Sequence, residues 1–196
     1  DETDDDIELS HEVYDAPTDD QSTRTVYLRA TTVLAHRLTG EERALLDPTR
    51  GPSHEWRPVN ADTRSAGDDY DLTVRRSDMD GQERARPAAF FEYAQEARIR
   101  YIMKLHTRGE RWTQHVVART DIDFLEPLAY RQEPYSVHSW LAHLGSRSFT
   151  ICSEVRDGDR VLATCAVVMT TFDVETQRTV EMAEDQRLRL EKELRS

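Results

Sequence analysis

Two carboxylates one residue apart, Asp78 and Asp80, stand where an alternating segment meets an amphipathic one. The alternating segment runs from Tyr70 to Arg76, and the amphipathic one from about Pro87 to Leu105. A carboxylate at the mouth of a helix is equipped for chemistry. Backbone N–H groups there can polarise a carbonyl, and the acid can serve as base or nucleophile. The same two residues can equally be turn formers and partners of the helix dipole. Glu92 and Glu96, one helical turn apart, offer a second carboxylate, or else face solvent and pair with Arg98 and Arg100. Arg84 and Arg86 could meet an anionic group, as could Arg147 and Ser148 at the Gly145-Ser146 turn; each Arg taken singly also reads as a solvated surface residue.

Other chemistries find little support. His138 and His143 are five apart on a strand and face opposite sides, and no Cys/His spacing suits a metal, so none is expected. No nucleophile elbow and no Gly-rich phosphate loop occur. The formal net charge of -12 argues against a general nucleic-acid binder, which needs a basic surface. The basic residues are almost all Arg, with Lys104 and Lys192 the only lysines, so an anion would be held by a local Arg cluster. No apolar run reaches membrane-spanning length and no signal peptide opens the chain, so a cytoplasmic protein is expected. Cys152 and Cys165, each flanked by apolar residues, are expected to be free and buried.

With 196 residues, 37% hydrophobic and 33% charged, the chain suits one globular domain plus an appendage. Asp1 to Asp20 is acidic and reads as an arm without periodicity. Val26, Leu28 and Ala30 suit a strand, while Val33, Leu34, Arg37 and Leu38 suit a helical face. Residues 48 to 69 read as a long connection, which gives an N-terminal extension over 1–68.

The main domain is expected over 69–182. Tyr70, Leu72 and Val74 alternate as a half-buried strand, and Pro87 suits a first helical position. Ala88, Phe91, Ala94, Gln95, Arg98, Ile102 and Leu105 recur at helical spacing. Phe90, Tyr93, Ala97 and Tyr101 widen the stripe enough that other structure should wrap most of the helix. The aromatic cluster reads as core or as the lining of an acyl tunnel. Four strands joined as hairpins follow, with Asp157-Gly158 a strong turn signal. Val161 to Met169 is apolar on both faces, so a second subunit or the N-terminal extension is expected to cover the face that one helix cannot. A charged C-terminal helix is expected over Ala183 to Leu194, within 183–196. The fold class is therefore α+β: an antiparallel five-stranded sheet around a long central helix.

From about Asp69 to Met182 the chain resembles the hotdog-fold acyl-CoA thioesterases of the 4-hydroxybenzoyl-CoA thioesterase type. The resemblance rests on Arg76-Ser77-Asp78-Met79-Asp80, on Phe90-Phe91-Glu92-Tyr93-Ala94-Gln95-Glu96-Ala97-Arg98 at gapless spacing from it, and on Asp123-Phe124-Leu125-Glu126-Pro127-Leu128. It extends through the Leu144–Ser148 turn, the Val155–Ala163 hairpin and Phe172–Arg178. It implies the hotdog fold and a thioesterase cleaving an acyl-CoA or acyl carrier protein thioester. It also implies no cofactor beyond the coenzyme A of the substrate, and a homodimer or homotetramer. The family's catalytic acid corresponds to Asp80. Arg84, Arg86, Glu92, Tyr93, Arg147 and Ser148 become the candidate substrate contacts. Where the family often has Gly-His-Val-Asn-Asn, this chain has Glu83-Arg84-Ala85-Arg86-Pro87, which keeps the acid but remodels the pocket wall. That departure raises a non-catalytic alternative: a hotdog protein that binds an acyl thioester or fatty ligand, or serves as a partner subunit.

Overall fold

The computed structural model describes residues 59–106 and 108–196 in full, and the backbone of Asp6–Tyr14 and Val26–Ala35. The chain divides into two compact units, Asp1–Arg57 and Pro58–Ser196. In the first, β1 (Asp6–Tyr14) pairs antiparallel with β2 (Val26–Ala35). The sequence reading placed an irregular arm over β1 and a helical face over Val33 and Leu34; both stretches are strand. Ile7, Leu9 and Val13 share the odd positions of β1 and supply alternation, but too short a run of it to be decisive until a partner strand is found. The capping-box spacing of Thr39-Gly40-Glu41-Glu42 ahead of Arg43-Ala44-Leu45-Leu46 suits a short helix stopped by Asp47-Pro48, and that stretch lies outside the described residues.

The second unit contains β3 (Asp68–Leu72), a 3-10 turn (Arg76–Asp78) and the central helix α1 (Pro87–Leu105). Strands β4 (His115–Phe124), β5 (Tyr135–Leu144), β6 (Ser148–Asp157) and β7 (Arg160–Asp173) follow, then the short β8 (Arg178–Thr179) and helix α2 (Glu184–Leu194). The sheet order is β3-β5-β6-β7-β4, every pair antiparallel, with β8 added against β7. The five long strands curl about α1 as the hotdog arrangement requires. The β6–β7 hairpin closes through Gly158 and Asp159, with Gly158 at φ +60, so the two-residue loop lies one position later than the Asp-Gly signal suggested.

Helix α1 begins at Pro87, whose fixed φ suits the first turn and whose missing N–H costs nothing there. It buries Ala89, Phe90, Tyr93, Ala94, Ala97, Tyr101 and Leu105. The stripe centres on Phe90, Tyr93 and Tyr101, while Phe91, Ile99 and Met103 are exposed, so the helix is less fully wrapped than its composition implied. One core cluster joins Phe90 and Tyr93 to Leu128, Tyr135, Val137 and Val155; another joins Tyr101 and Leu105 to Leu141, Phe149, Met169 and Leu190. Helix α2 is therefore core structure, not a solvated tail. Leu190 and Gln186 are fully buried, whereas Leu188 is exposed.

The opposite face of the sheet carries Trp140, Ala142 and Cys152, with Ala166 against them. Part of its cover comes from the chain just ahead of β3. Thr63 and Ser65 donate backbone N–H groups to Ala142 and Leu141, and the Arg64 guanidinium lies 4.0 Å from the centre of the Trp140 ring. This run turns into β3 at Gly67, where φ is +72 and a Cβ would stand 2.4 Å from the Ser139 carbonyl oxygen, so only glycine fits. Cys152 and Cys165 are free and buried.

Candidate active site

The stretch between β3 and α1 folds back on itself because Asp78 anchors it from inside. Asp78 is 7% exposed. Its Oδ2 accepts hydrogen bonds from the Tyr93 hydroxyl (2.9 Å), the Arg75 backbone N–H (3.1 Å) and Arg75 Nε (3.3 Å), and Oδ1 accepts from Ser77 Oγ (3.3 Å). Burial alone would raise the Asp78 pKa, but the bonds from Tyr93 and Arg75 outweigh it and hold the carboxyl below its ordinary value. Burial, and then the Asp78 carboxylate, push the Tyr93 hydroxyl well above the usual tyrosine range, so it remains a donor.

The sign of this coupling predicts an acid-sensitive joint. A depressed folded-state pKa gives stability that is complete above the unfolded Asp value of about 3.9 and is lost as pH falls through the folded value. Tyr93→Phe removes one donor from the carboxylate. It is expected to lower stability at neutral pH by about 1–3 kcal/mol and to flatten the acid limb of a Tm-against-pH curve. A variant with the wild-type acid limb would show that Tyr93 does not hold the ionised carboxylate.

Asp80 sits in a different setting. It is exposed, and its Oδ1 accepts the backbone N–H groups of Gln82 (2.8 Å) and Arg84 (3.0 Å). Its own N–H donates to the Arg84 carbonyl at 2.8 Å, which closes a tight acidic loop, and Glu83 takes φ +57 within it. The two backbone donors, Arg84 first, hold the Asp80 carboxyl below its ordinary value. It is thus ionised at neutral pH, with one oxygen fixed and the other directed to neither N–H.

The candidate oxyanion donors at Ala85 to Ala89 are mostly taken. Ala85 N–H donates to the Leu128 carbonyl (2.8 Å), Arg86 N–H to the Asp78 carbonyl (2.9 Å), and Ala89 N–H to the Arg86 carbonyl (2.9 Å). Pro87 has no N–H. Ala88 therefore carries the one N–H of this set with no partner outside the helix among the described residues. The bridges Met79–Ala85 and Arg84–Ala129 explain why: this segment pairs with neighbouring backbone before it enters the helix.

The candidate contacts fall into separate groups. Arg84 is exposed beside Asp80. Arg86 braces the turn, with Nη2 donating to the Ser77 carbonyl (2.6 Å) and Nε to the Asp78 carbonyl (3.4 Å). Glu92 is exposed, and Tyr93 is 3% exposed with its hydroxyl on Asp78. Asp78 pairs with Arg75 and Tyr93, whereas the adjacent Arg76 lies near Glu83. Arg147 and Ser148 lie at the start of β6, whereas the Asp78–Asp80 turn lies toward the opposite end of that strand, where Leu72 pairs with Tyr135. At a rise of about 3.3 Å per residue the length of β6 is about 30 Å, so one chain does not bring the two groups together. There the Arg147 carbonyl accepts from Thr171 N–H (2.8 Å) and Oγ1 (3.0 Å). Among the described residues, no three His, Cys, Asp or Glu side chains converge to hold a metal, and no helix is long and apolar enough to cross a membrane.

Residues 74–190, more than half of the chain, match the family model of the thioesterase-like superfamily. The chain belongs to that superfamily. The match takes in the Asp78–Asp80 turn, all of α1 and the buried part of α2, which agrees with α2 being core in this thioesterase-like protein. No curated protein matches the chain. Among solved structures, a predicted thioesterase from Bacillus stearothermophilus is similar at 25% identity and a TM-score of 0.57, over 64% of this chain and 95% of that one. A thioesterase from Thermus thermophilus, complexed with coenzyme A and Zn, is similar in fold at 23% identity and a TM-score of 0.57, over 65% of this chain and 94% of that one. A hypothetical Staphylococcus aureus protein in complex with CoA shares the fold at 10% identity and a TM-score of 0.60, over 67% and 85%.

Proposed function

We propose that this chain is an acyl-CoA thioesterase of the 4-hydroxybenzoyl-CoA thioesterase type, with Asp80 as its catalytic carboxylate. An acyl carrier protein thioester is the other form its substrate could take. The observation that carries this reading is the state of Asp80: exposed at the mouth of α1, ionised, and fixed by two backbone donors through one oxygen only. Water attacks the thioester carbonyl and gives its proton to Asp80. The oxyanion collapses, the C–S bond breaks, and the departing thiolate takes the proton. Direct attack by Asp80 would also need the ionised acid. Ala88 N–H faces the developing oxyanion, and Arg84 is the cation nearest in sequence for substrate phosphates.

The active form in this proposal is a homodimer. Among the described residues, strand β4 pairs only with β7, so its outer edge has unpaired backbone groups, and it exposes Val116, Val117 and Phe124 with Leu125 beyond. A second β4 can pair with this edge across a two-fold axis. Val116→Lys is expected to shift the sedimentation coefficient from dimer to monomer; an unchanged value would exclude this edge as the interface.

The test of function is release of free thiol from a panel of acyl-CoA esters by wild type and Asp80→Asn. Turnover by wild type that survives unchanged in Asp80→Asn would remove Asp80 from the mechanism. A second reading, a non-catalytic acyl-thioester binder, is favoured by one observation: three of the backbone donors at the helix mouth already have partners. Loss of one oxyanion donor typically costs about 10²–10³ in kcat. No turnover on any ester, with a rise in Tm on adding one, would establish that reading.

A further inference from the structure

The loop that carries Asp80 is exposed and does not hold its own shape. The carboxylate depends on the N–H groups of Gln82 and Arg84, and between them Glu83 takes φ +57. A residue with a side chain keeps that left-handed backbone only where its surroundings impose it. Here they are the connection between β4 and β5, residues 125–134. Ala129 forms an antiparallel bridge with Arg84: Ala85 N–H donates to the Leu128 carbonyl (2.8 Å) and Tyr130 N–H to the Glu83 carbonyl (3.4 Å). Both neighbours of Arg84 are thus tied to this connection, and Arg84 N–H itself donates to Asp80 Oδ1 at 3.0 Å. The Arg76 guanidinium spans the same joint, 4.2 Å from the centre of the Tyr130 ring and 3.8 Å from Glu83.

Two side chains fix the connection in turn. Tyr135, buried at the start of β5, donates its hydroxyl to the Ala129 carbonyl (2.9 Å). Arg131 folds back over it, with its guanidinium 3.6 Å from the centre of the Tyr135 ring. Its Nε donates to the Glu133 carbonyl (3.0 Å), its Nη2 to the Pro134 carbonyl (3.0 Å) and its Nη1 to Asp157 Oδ1 at the end of β6 (2.7 Å). Asp157 also accepts from Arg160 (2.8 Å), which reaches Glu126 at the start of the connection (3.1 Å). All three nitrogens of the Arg131 guanidinium are engaged, and its face is on a ring. That is the planar fork holding several partners at once, which a lone surface ion pair does not do.

We propose that Tyr135 and Arg131 are positioning residues for Asp80: through Ala129 and Arg84 they fix the carboxylate oxygen that the backbone holds, and with it the direction of the other. The route runs from the Tyr135 hydroxyl to the Ala129 carbonyl, across the bridge to the Arg84 backbone, and from its N–H to Asp80 Oδ1. Arg131 keeps the connection and the Tyr135 ring in register with the end of β6. A base whose free oxygen drifts by about an ångström loses rate without losing substrate. The effect on hydrolysis rests on Asp80 being the base, as proposed above; the effect on the geometry of the loop does not.

The test uses Tyr135→Phe, which keeps the ring and its packing, and Arg131→Met, which keeps the aliphatic stem. Tyr101→Phe, in the other core cluster, is the control for a loss of stability that does not reach the Asp80 loop. The first readout needs no turnover: hydrogen exchange of the Arg84 amide in the full chain at neutral pH, followed by NMR. Relative to the core amides of β6, it is expected to quicken at least tenfold in Tyr135→Phe and Arg131→Met and to stay unchanged in Tyr101→Phe. The second is steady-state hydrolysis of an acyl-CoA ester that wild type turns over. There kcat should fall at least fivefold in both variants with KM within twofold of wild type, while Tyr101→Phe keeps the wild-type kcat. If one variant does not fold, the other decides. Unchanged Arg84 exchange overturns the proposal, and so does faster exchange with a wild-type kcat in a protein that Asp80→Asn inactivates. Should wild type hydrolyse no ester, the thioesterase reading fails, and the exchange of Arg84 alone decides whether Tyr135 and Arg131 hold Asp80 in place.

Discussion

Replacing Asp80 by Asn is expected to lower kcat for acyl-CoA hydrolysis about 10²–10⁴-fold, the usual contribution of a positioned base. The substitution is sharp because it keeps the architecture. An Asn Oδ1 still accepts from Gln82 and Arg84, so the loop closes as before and Tm should stay within about 0.5 kcal/mol of wild type in stability terms. Only the ionised, proton-accepting oxygen is lost. The pH profile gives an independent check. The backbone donors hold Asp80 below its ordinary value, so the base form persists as pH falls, and the acid limb of kcat/KM is expected below the ordinary carboxylate pKa of about 3.9. Measurement would have to distinguish that limb from acid unfolding linked to Asp78. The same depression makes Asp80 a weak base, which predicts modest turnover. A kcat that falls less than threefold in Asp80→Asn, or an acid limb near pH 6, would point to another catalytic group.

Tyr101→Ala is expected to destabilise the second unit by about 3–5 kcal/mol, as truncation of a large buried aromatic does. Tyr101 is 2% exposed, and its hydroxyl is a hub. It donates to Glu193 of α2 (2.8 Å), accepts from the Leu141 N–H of β5 (3.1 Å), and lies 3.1 Å from the Ser65 hydroxyl. One side chain thus joins the central helix, the sheet, the C-terminal helix and the run ahead of β3. Tyr101→Phe isolates the polar part. It keeps the packing but removes a partner from each of these groups, and should cost about 1–3 kcal/mol. Chemical denaturation of the three proteins measures both terms. A loss below 1 kcal/mol for Tyr101→Ala would mean that the joint is not structural. Ser65 N–H also reaches the Leu141 carbonyl, so truncation that removes Ser65 should resemble Tyr101→Phe more than a neutral trim.

The fold was legible where the pattern is local. Pro87 to Leu105 carries helical spacing without interruption, and the structure places α1 over those same residues. Strands β5 and β6 follow from alternation and β7 from a continuous apolar run, with turns at Gly145 and Gly158 between them. The pattern failed where the partner is distant. Asp6–Tyr14 becomes strand through pairing with Val26–Ala35, and the apparent tail α2 becomes core through Leu190 and Gln186. Neither contact leaves a decisive periodic trace: the alternation in β1 is short, and burial of one or two residues in a charged helix is weak evidence by itself.

The site divided in the same way. The types and spacing of Asp78, Asp80 and Tyr93 are written in the chain, and so is the proline that removes one N–H from the helix mouth. Their roles are not. Asp78 and Asp80 differ by two positions, yet only the three-dimensional fold decides that Asp78 points inward to Tyr93 and Arg75 while Asp80 remains exposed. By itself, the sequence determined the long helix, the hairpin-linked strands of an antiparallel sheet and the presence of a carboxylate at the turn, because these depend on short-range periodicity and residue chemistry; the hotdog class was implied by the resemblance. Only the tertiary structure decided which carboxylate is buried and which N–H groups remain available, because burial and hydrogen bonding depend on neighbours far away in the chain.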